Sequence, residues 1–292
     1  MNSLRKQRLA RQHLEADRML GVTAVPVSDQ PPAAVLSDPA STPTHQAVAP
    51  APRAPQPPSP MRSAPPSRRA VAPGPTPPPA PLQAQIGAVK LRDVPPDHRP
   101  AALAELRQKL ADDPAVQRLQ PPGTQIVFGE GTPTADIAFI GEGPGENEDR
   151  LARPFVGKAG QLLDKMITAM GLDRADVYLS NAVNFRPPGN RAPTPEETAA
   201  CLPYLLEQLA IVRPKAVVLL GGSAARALLD TKTGITRLRG SWQSITRLDP
   251  PLPVMPTFHP AYLLRSYTVD NRKKVWADLQ EVLAKVGIKP KG

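Results

Sequence analysis

Three residues able to do chemistry, and a glycine, stand where apolar runs of the chain end. Glu142 follows Ile137–Ile140, Asn181 follows the run at Tyr178, Gly221 follows Leu220, and His259 follows Met255–Phe258. A carboxylate orients water or counters positive charge. A carboxamide offers a donor and an acceptor side by side. An imidazole donates or accepts a proton near neutral pH. If the apolar runs are parallel strands, their carboxyl ends open on one crevice, which is where such sheets bind ligands. The convergence of four strand ends is stronger than any single motif.

The segment "GEGPGENED" (141–149) raises the question of a phosphate loop. It is neither a P-loop, which needs G-x-x-x-x-G-K-[ST], nor a Rossmann turn. Gly141, Gly143 and Gly145 give close backbone approach and exposed N–H groups. Glu142, Glu146, Glu148 and Asp149 would repel a triphosphate. Such a loop suits a neutral ligand with N–H donors, or a centre where positive charge develops; the plainer alternative is a tight turn with solvated acids. In "NAVNFRPPGNRAPTPEE" (181–197), Arg186 and Arg191 with Asn184 and Asn190 can grip phosphates, against the alternative of an ordinary proline-rich loop before a helix. In "FHPAYLLR" (258–265), Pro260 opens a helical turn. Tyr262, Leu263 and Leu264 follow it as an apolar wedge or as core, and Arg265 closes the block.

These residues need a frame, and the pattern supplies one. "PKAVVLLGG" reads as a strand covered on both faces. "TQIVFGEG" and "ADIAFIGEG" read as a hairpin or two adjacent strands, and "DVYLSNAV", "RGSWQSITRL" and "LPVMPTF" as further strands. Helices are expected at "RPAALAELRQKLADD", at "AGQLLDKMITAMGL" with Gly171 as its C-cap, after the start signal "TPEE", at "SAARALLD" and at "RKKVWADLQEVLAKVG". The expected fold is a three-layer α/β/α sandwich around a mainly parallel four-stranded sheet, covering residues 99–292.

Ahead of that domain the texture differs. The 292 residues include 40 prolines, most of them before Gly123. Residues 22–98 hold few aromatic or branched apolar side chains and read as a proline-rich disordered linker with polyproline II character. A spacer is the favoured reading, with docking of SH3-like or WW-like protein modules as the alternative. Residues 1–21 read as a short N-terminal helix. The net charge of +10 suits a polyanionic partner such as DNA, RNA or an acidic membrane surface. No apolar run reaches membrane-spanning length and no secretory signal is evident, so a cytoplasmic, reducing location is expected. Cys201 is the single cysteine, which excludes an internal disulfide and an all-cysteine metal site.

The blocks "GEGPGENED…RPFVGKAGQLLDKM", "NAVNFRPPGNRAPTPEE" and "FHPAYLLR" resemble, in order and spacing, the three signature blocks of family 4 uracil-DNA glycosylases. The likeness runs from about Gln125 to about Val286. It implies an enzyme that flips deoxyuridine out of uracil-containing DNA and hydrolyses its N-glycosidic bond. By motif position it implies that Glu142 acts near the sugar, Phe155 of "RPFVG" stacks on the base, and Asn181 bonds its polar edge. His259 would donate to the uracil oxygen that gathers charge. Leu263 or Leu264 would hold the vacated space, and Gly145 and its neighbours would offer N–H groups. It would also explain the acidic loop, since a sugar that turns positive gains from a carboxylate.

Two departures stand out. Family 1 enzymes carry a water-activating aspartate where this chain has Gly143, as family 4 generally does. Many family 4 members hold a 4Fe–4S cluster on four cysteines, and here only Cys201 matches, with Phe185 at a third cysteine's place. The expectation is a cluster-free enzyme without a cofactor, acting as a monomer. The alternatives are a non-catalytic DNA-binding member of the same fold, or a glycosylase for another deaminated base such as hypoxanthine. A crosslinking glycosylase would need a nucleophilic histidine after the asparagine strand, and "RPPGNRAPTPEE" has none.

Overall fold

A computed structural model describes residues 88–288. The expected N-terminal helix and most of the proline-rich linker lie outside the described residues.

The strands are β1 (Val89–Lys90), β2 (Glu130–Gly131), β3 (Ile137–Gly141), β4 (Tyr178–Asn181), β5 (Ala216–Leu220), β6 (Gln243–Ile245), β7 (Leu248–Asp249) and β8 (Leu252–Thr257). The α-helices are α1 (Arg99–Asp112), α2 (Pro114–Leu119), α3 (Glu146–Leu151), α4 (Lys158–Ala169), α5 (Pro195–Val212), α6 (Gly221–Leu229), α7 (Ile235–Leu238), α8 (Pro260–Arg265) and α9 (Val269–Val286). The main sheet runs β2-β4-β3-β5-β8-β6. Its inner four strands are parallel, and the short β2 and β6 add antiparallel edges. The expected four-stranded parallel sheet is thus the centre of a six-stranded mixed one.

The alternation of side chains along each strand builds the layers. Ala138 and Ile140 of β3 and Val217 and Leu219 of β5 join one apolar cluster with Leu110 of α1 and Leu205 of α5. Ile137 and Phe139, with Val218 and Leu220, join a second cluster with Leu163 and Met166 of α4 and Leu279 of α9. Every residue of β3 and β5 is buried, as a strand covered on both faces requires.

Local signals set the helix ends. Thr194 Oγ1 accepts from Glu197 N at 3.2 Å and Glu197 Oε2 accepts from Thr194 N at 2.8 Å, closing the capping box of α5. Gly171, at φ +85°, ends α4, with Leu172 N donating to Ile167 O at 3.2 Å.

Three readings are corrected. "TQIVFGEG" forms no hairpin with β3: its end, β2, pairs with β4, where an outer position was open. The domain begins before Arg99, because β1 pairs with β7 and Arg92 N donates to Ala210 O at 3.1 Å. The acidic run after Gly145 is not only loop but the helix α3. Six residues without apolar periodicity carry no helix signal; the acids in its first turn, favourable beside a helix N-terminus, are the readable trace.

Candidate active site

The carboxyl ends of β3, β4, β5 and β8 open on one cavity of about 720 Å³, lined by Glu142, Asn181, Gly221 and His259 among others. That is an ordinary volume for a small-molecule or base pocket. Gly143, Gly145, Phe155, Asn190, Arg191, Tyr262 and Arg265 also line it.

Within this wall the acids divide. The Glu142 carboxylate makes no hydrogen bond or ion pair among the described residues and faces the cavity. Glu148 is committed: Oε1 accepts from Val156 N at 2.9 Å and Gly157 N at 2.7 Å, and Oε2 from Gly145 N at 3.2 Å. It stitches the glycine loop to "RPFVG". Asp149 Oδ1 accepts from Gln125 N at 2.7 Å, and Glu146 lies 3.8 Å from Arg186 on the surface. Three of the four acids are therefore explained by α3 and its neighbours, and Glu142 alone is left for a ligand. The stitch of Glu148 went unread in the sequence. Its one signal is a carboxylate three residues into a helix that starts at a glycine.

Phe155 is buried at a φ of +53°, in the left-handed region that an aromatic residue enters only when its surroundings compel it. Its ring centroid lies 6.4 Å from that of His259, with the planes 30° apart. Gly141 sits behind the wall rather than in it. A Cβ there would lie 2.5 Å from Asn181 Oδ1 and 2.6 Å from Phe155 Cζ, so only glycine lets both side chains close on the cavity. The Asn181 side chain is paired with nothing among the described residues, which leaves its carboxamide available to a ligand.

His259 is the N-cap of α8, its Nδ1 accepting from Ala261 N at 3.0 Å. That bond requires an unprotonated Nδ1, so neutral His259 carries its hydrogen on Nε2. Burial, and then the Arg265 cation, push its pKa down to about 4, against a smaller opposing effect of Glu148. At neutral pH it is an uncharged donor.

The remaining expected residues separate by burial. Leu263 belongs to the core, 1% exposed, whereas Leu264 is 45% exposed, so of the two leucines only Leu264 is open to a partner. Arg186 does not line the cavity; its Nε donates to Asn190 Oδ1 at 2.7 Å and stiffens the loop. Arg191 lines it, but its two terminal nitrogens are bidentate with Glu197 at 2.7 and 2.8 Å. Arg265 is exposed, lines the cavity and has no ion-pair partner among the described residues.

The Uracil DNA glycosylase superfamily model matches residues 128–280. The chain belongs to the uracil DNA glycosylase superfamily. Within the superfamily it stands with the type-4 group. It is 45% identical over 173 residues to a type-4 uracil-DNA glycosylase of Thermotoga maritima, covering 58% of this chain and 86% of that protein. It is 41% identical over 173 residues to one of Sulfurisphaera tokodaii, covering 58% and 77% of the two chains. It is 40% identical over 163 residues to one of Archaeoglobus fulgidus, covering 54% and 81%.

A 4Fe–4S cluster, which many members of this glycosylase group carry, does not fit the residues present. Four thiolates are needed and the chain has one cysteine. Cys201 is fully buried in an apolar cluster with Phe185, Leu110, Val116 and Leu202. Burial pushes its thiol up to about 12, far from the thiolate a metal requires. No group of three or more His, Cys, Asp or Glu stands ready to hold a metal among the described residues.

Proposed function

We propose that this chain removes uracil from DNA by hydrolysing its N-glycosidic bond, leaving an abasic site for repair. The observation that carries the reading is the meeting of an unpaired Glu142, an unpaired Asn181 carboxamide, the Phe155 ring and a neutral His259 around one cavity. Its relatives carry the name uracil-DNA glycosylase.

The chemistry follows from those groups. A base in the duplex stack is out of reach, so the nucleotide is flipped into the cavity at the cost of unstacking. The base lies on Phe155, and Asn181 pairs with its polar edge. As the bond from C1′ to N1 breaks, its electron pair goes to the base and C1′ turns positive. Glu142 counters that charge and orients the water whose oxygen bonds to C1′ and whose proton is released. The His259 Nε2–H donates to the uracil oxygen where the negative charge collects. An uncharged donor suits this step because it stabilises the leaving anion without having to be held protonated at neutral pH. Leu264 and Tyr262 stand at the rim to hold the vacated space, and Arg265 to meet phosphate.

The reaction runs through these side chains with no cofactor, the apolar cluster around Phe185 standing where a metal group would otherwise fix the fold. The chain works as a monomer in the cytoplasm, and the proline-rich arm is a spacer or a docking segment. The test is incubation with an oligonucleotide carrying one uracil, followed by alkaline cleavage at abasic sites, with a hypoxanthine oligonucleotide in parallel. Scission at uracil is expected; none above a Glu142→Ala control would sink the reading.

A further inference from the structure

We infer that Arg174 is a positioning residue for base recognition, holding Phe155 in its left-handed conformation from behind the cavity; this rests on the reading of Phe155 as the base platform. Arg174 lies in the turn before β4, about twenty residues beyond Phe155 in sequence. Its Nη1 donates to Phe155 O at 2.9 Å and its Nη2 to Pro154 O at 2.5 Å. Nη1 also donates to Asp164 Oδ1 at 2.9 Å, and Nε reaches Glu130 Oε1 at 3.4 Å. Two carboxylates flank the fork, and the fork grips two consecutive carbonyls. On the other side of Phe155, the next two N–H groups, of Val156 and Gly157, are taken by Glu148. Gly160 completes the grip: a Cβ there would lie 1.9 Å from Phe155 O, so α4 reaches the carbonyl only through a glycine.

A residue at positive φ without glycine's freedom is under strain, and it stays there only when its neighbours over-determine it. Here the carbonyls before the turn and the N–H groups after it are fixed by separate side chains. Releasing the carbonyls lets the peptide rotate back toward ordinary backbone angles and swings the ring off the cavity wall. Arg174 touches neither base nor sugar in this reading, so its whole effect should pass through Phe155. Lysine at 174 would supply one point contact in place of the fork.

A double-mutant cycle decides it. Arg174→Met, Phe155→Ala and the double variant are compared with the parent chain for single-turnover uracil release and for calorimetric binding of free uracil. Arg174→Met is expected to weaken both by about tenfold, and to change neither by more than about twofold once Phe155 is alanine. Arg174→Lys should lie between. Asp164→Asn, which breaks the ion pair and leaves the carbonyl bonds, should stay close to the parent. An undiminished Arg174→Met effect in the Phe155→Ala background, or an Arg174→Met chain that binds uracil as the parent does, overturns the inference. If the parent binds uracil but releases none from DNA, the proposed function falls, and the binding cycle still judges Arg174.

Discussion

At the carboxyl ends of β3 and β4, Glu142 and Asn181 present polar side chains to open space with no partner among the described residues. Just beyond, the chain turns inward: Phe185 is wholly buried in one cluster with Cys201 and Leu202 of α5. Asn184, three residues after Asn181, is buried too, and its Nδ2 donates to Val127 O at 3.1 Å. One stretch of chain therefore holds a carboxamide reserved for a ligand and another spent on the backbone. The first flank stores interaction energy for a visitor; the second spends it on the fold. Polar groups kept unpaired at a cavity are costly to stability, and the packed flank offsets that cost.

The sharpest way to break this contrast is at Glu142. Glu142→Ala removes a group tied to nothing among the described residues, so stability should hardly move. Uracil release should fall by about 10²- to 10⁴-fold, with DNA affinity little changed. Single-turnover kinetics beside a melting curve measure both; a large drop in melting temperature, or a rate within a few fold of the parent, would place Glu142 in the packed half.

Phe185→Ala should do the reverse. Emptying a fully buried aromatic site costs about 3–5 kcal/mol. In a domain of this size that lowers the melting temperature by about 6–20 °C, while release per folded molecule at low temperature stays close to the parent. If iron accompanies the purified protein and its removal lowers the melting temperature further, the view of an apolar flank standing in for a metal group is wrong.

His259 gives a pH test. Its pKa is lowered to about 4 in the fold against an ordinary value of about 6.5, so the unfolded chain binds the proton first as pH falls. Its contribution to stability is complete above pH 6.5, is lost as the pH falls from about 6.5 to about 4, and amounts to about 3 kcal/mol. Through the same range most of the folded enzyme keeps the Nε2–H donor uncharged. Uracil release attributable to this residue should therefore stay level from neutrality to about pH 5 and decline toward pH 4. Denaturant melts across that range, run with His259→Gln as the control, should show the parent losing stability faster than the variant.

Much of this was readable in sequence. "AVVLL" could only be a doubly covered strand, "TPEE" wrote a capping box, and three chemical residues and a glycine at strand ends announced a shared cavity. The remainder depended on partners that leave no pattern. Arg174 serves backbone carbonyls, which every residue possesses, so nothing at 154–155 marks them as its partners. Glu148 and Glu142 differ only in what surrounds them, and β2 chose its neighbour by the vacancy beside β4.

Leu263 and Leu264 show that limit at its smallest scale, and they supply the mildest test. They are adjacent and identical in type, yet one is 1% and the other 45% exposed. In a single turn of helix, residues one apart do not share a face, so only one of them can turn toward the core. Tyr262, 37% exposed and with its ring centroid 4.9 Å from that of Phe258, marks the outward side. Leu264→Ala should leave stability within about 0.5 kcal/mol. Its effect should fall on double-stranded substrate, where a wedge must replace the flipped base, and be weaker on single strands, where no partner strand demands it. Leu263→Ala should lower the melting temperature and treat both substrates alike. Equal losses on both strand forms for Leu264→Ala would make that leucine a general contact rather than a wedge, and the outward face of α8 would then serve affinity alone.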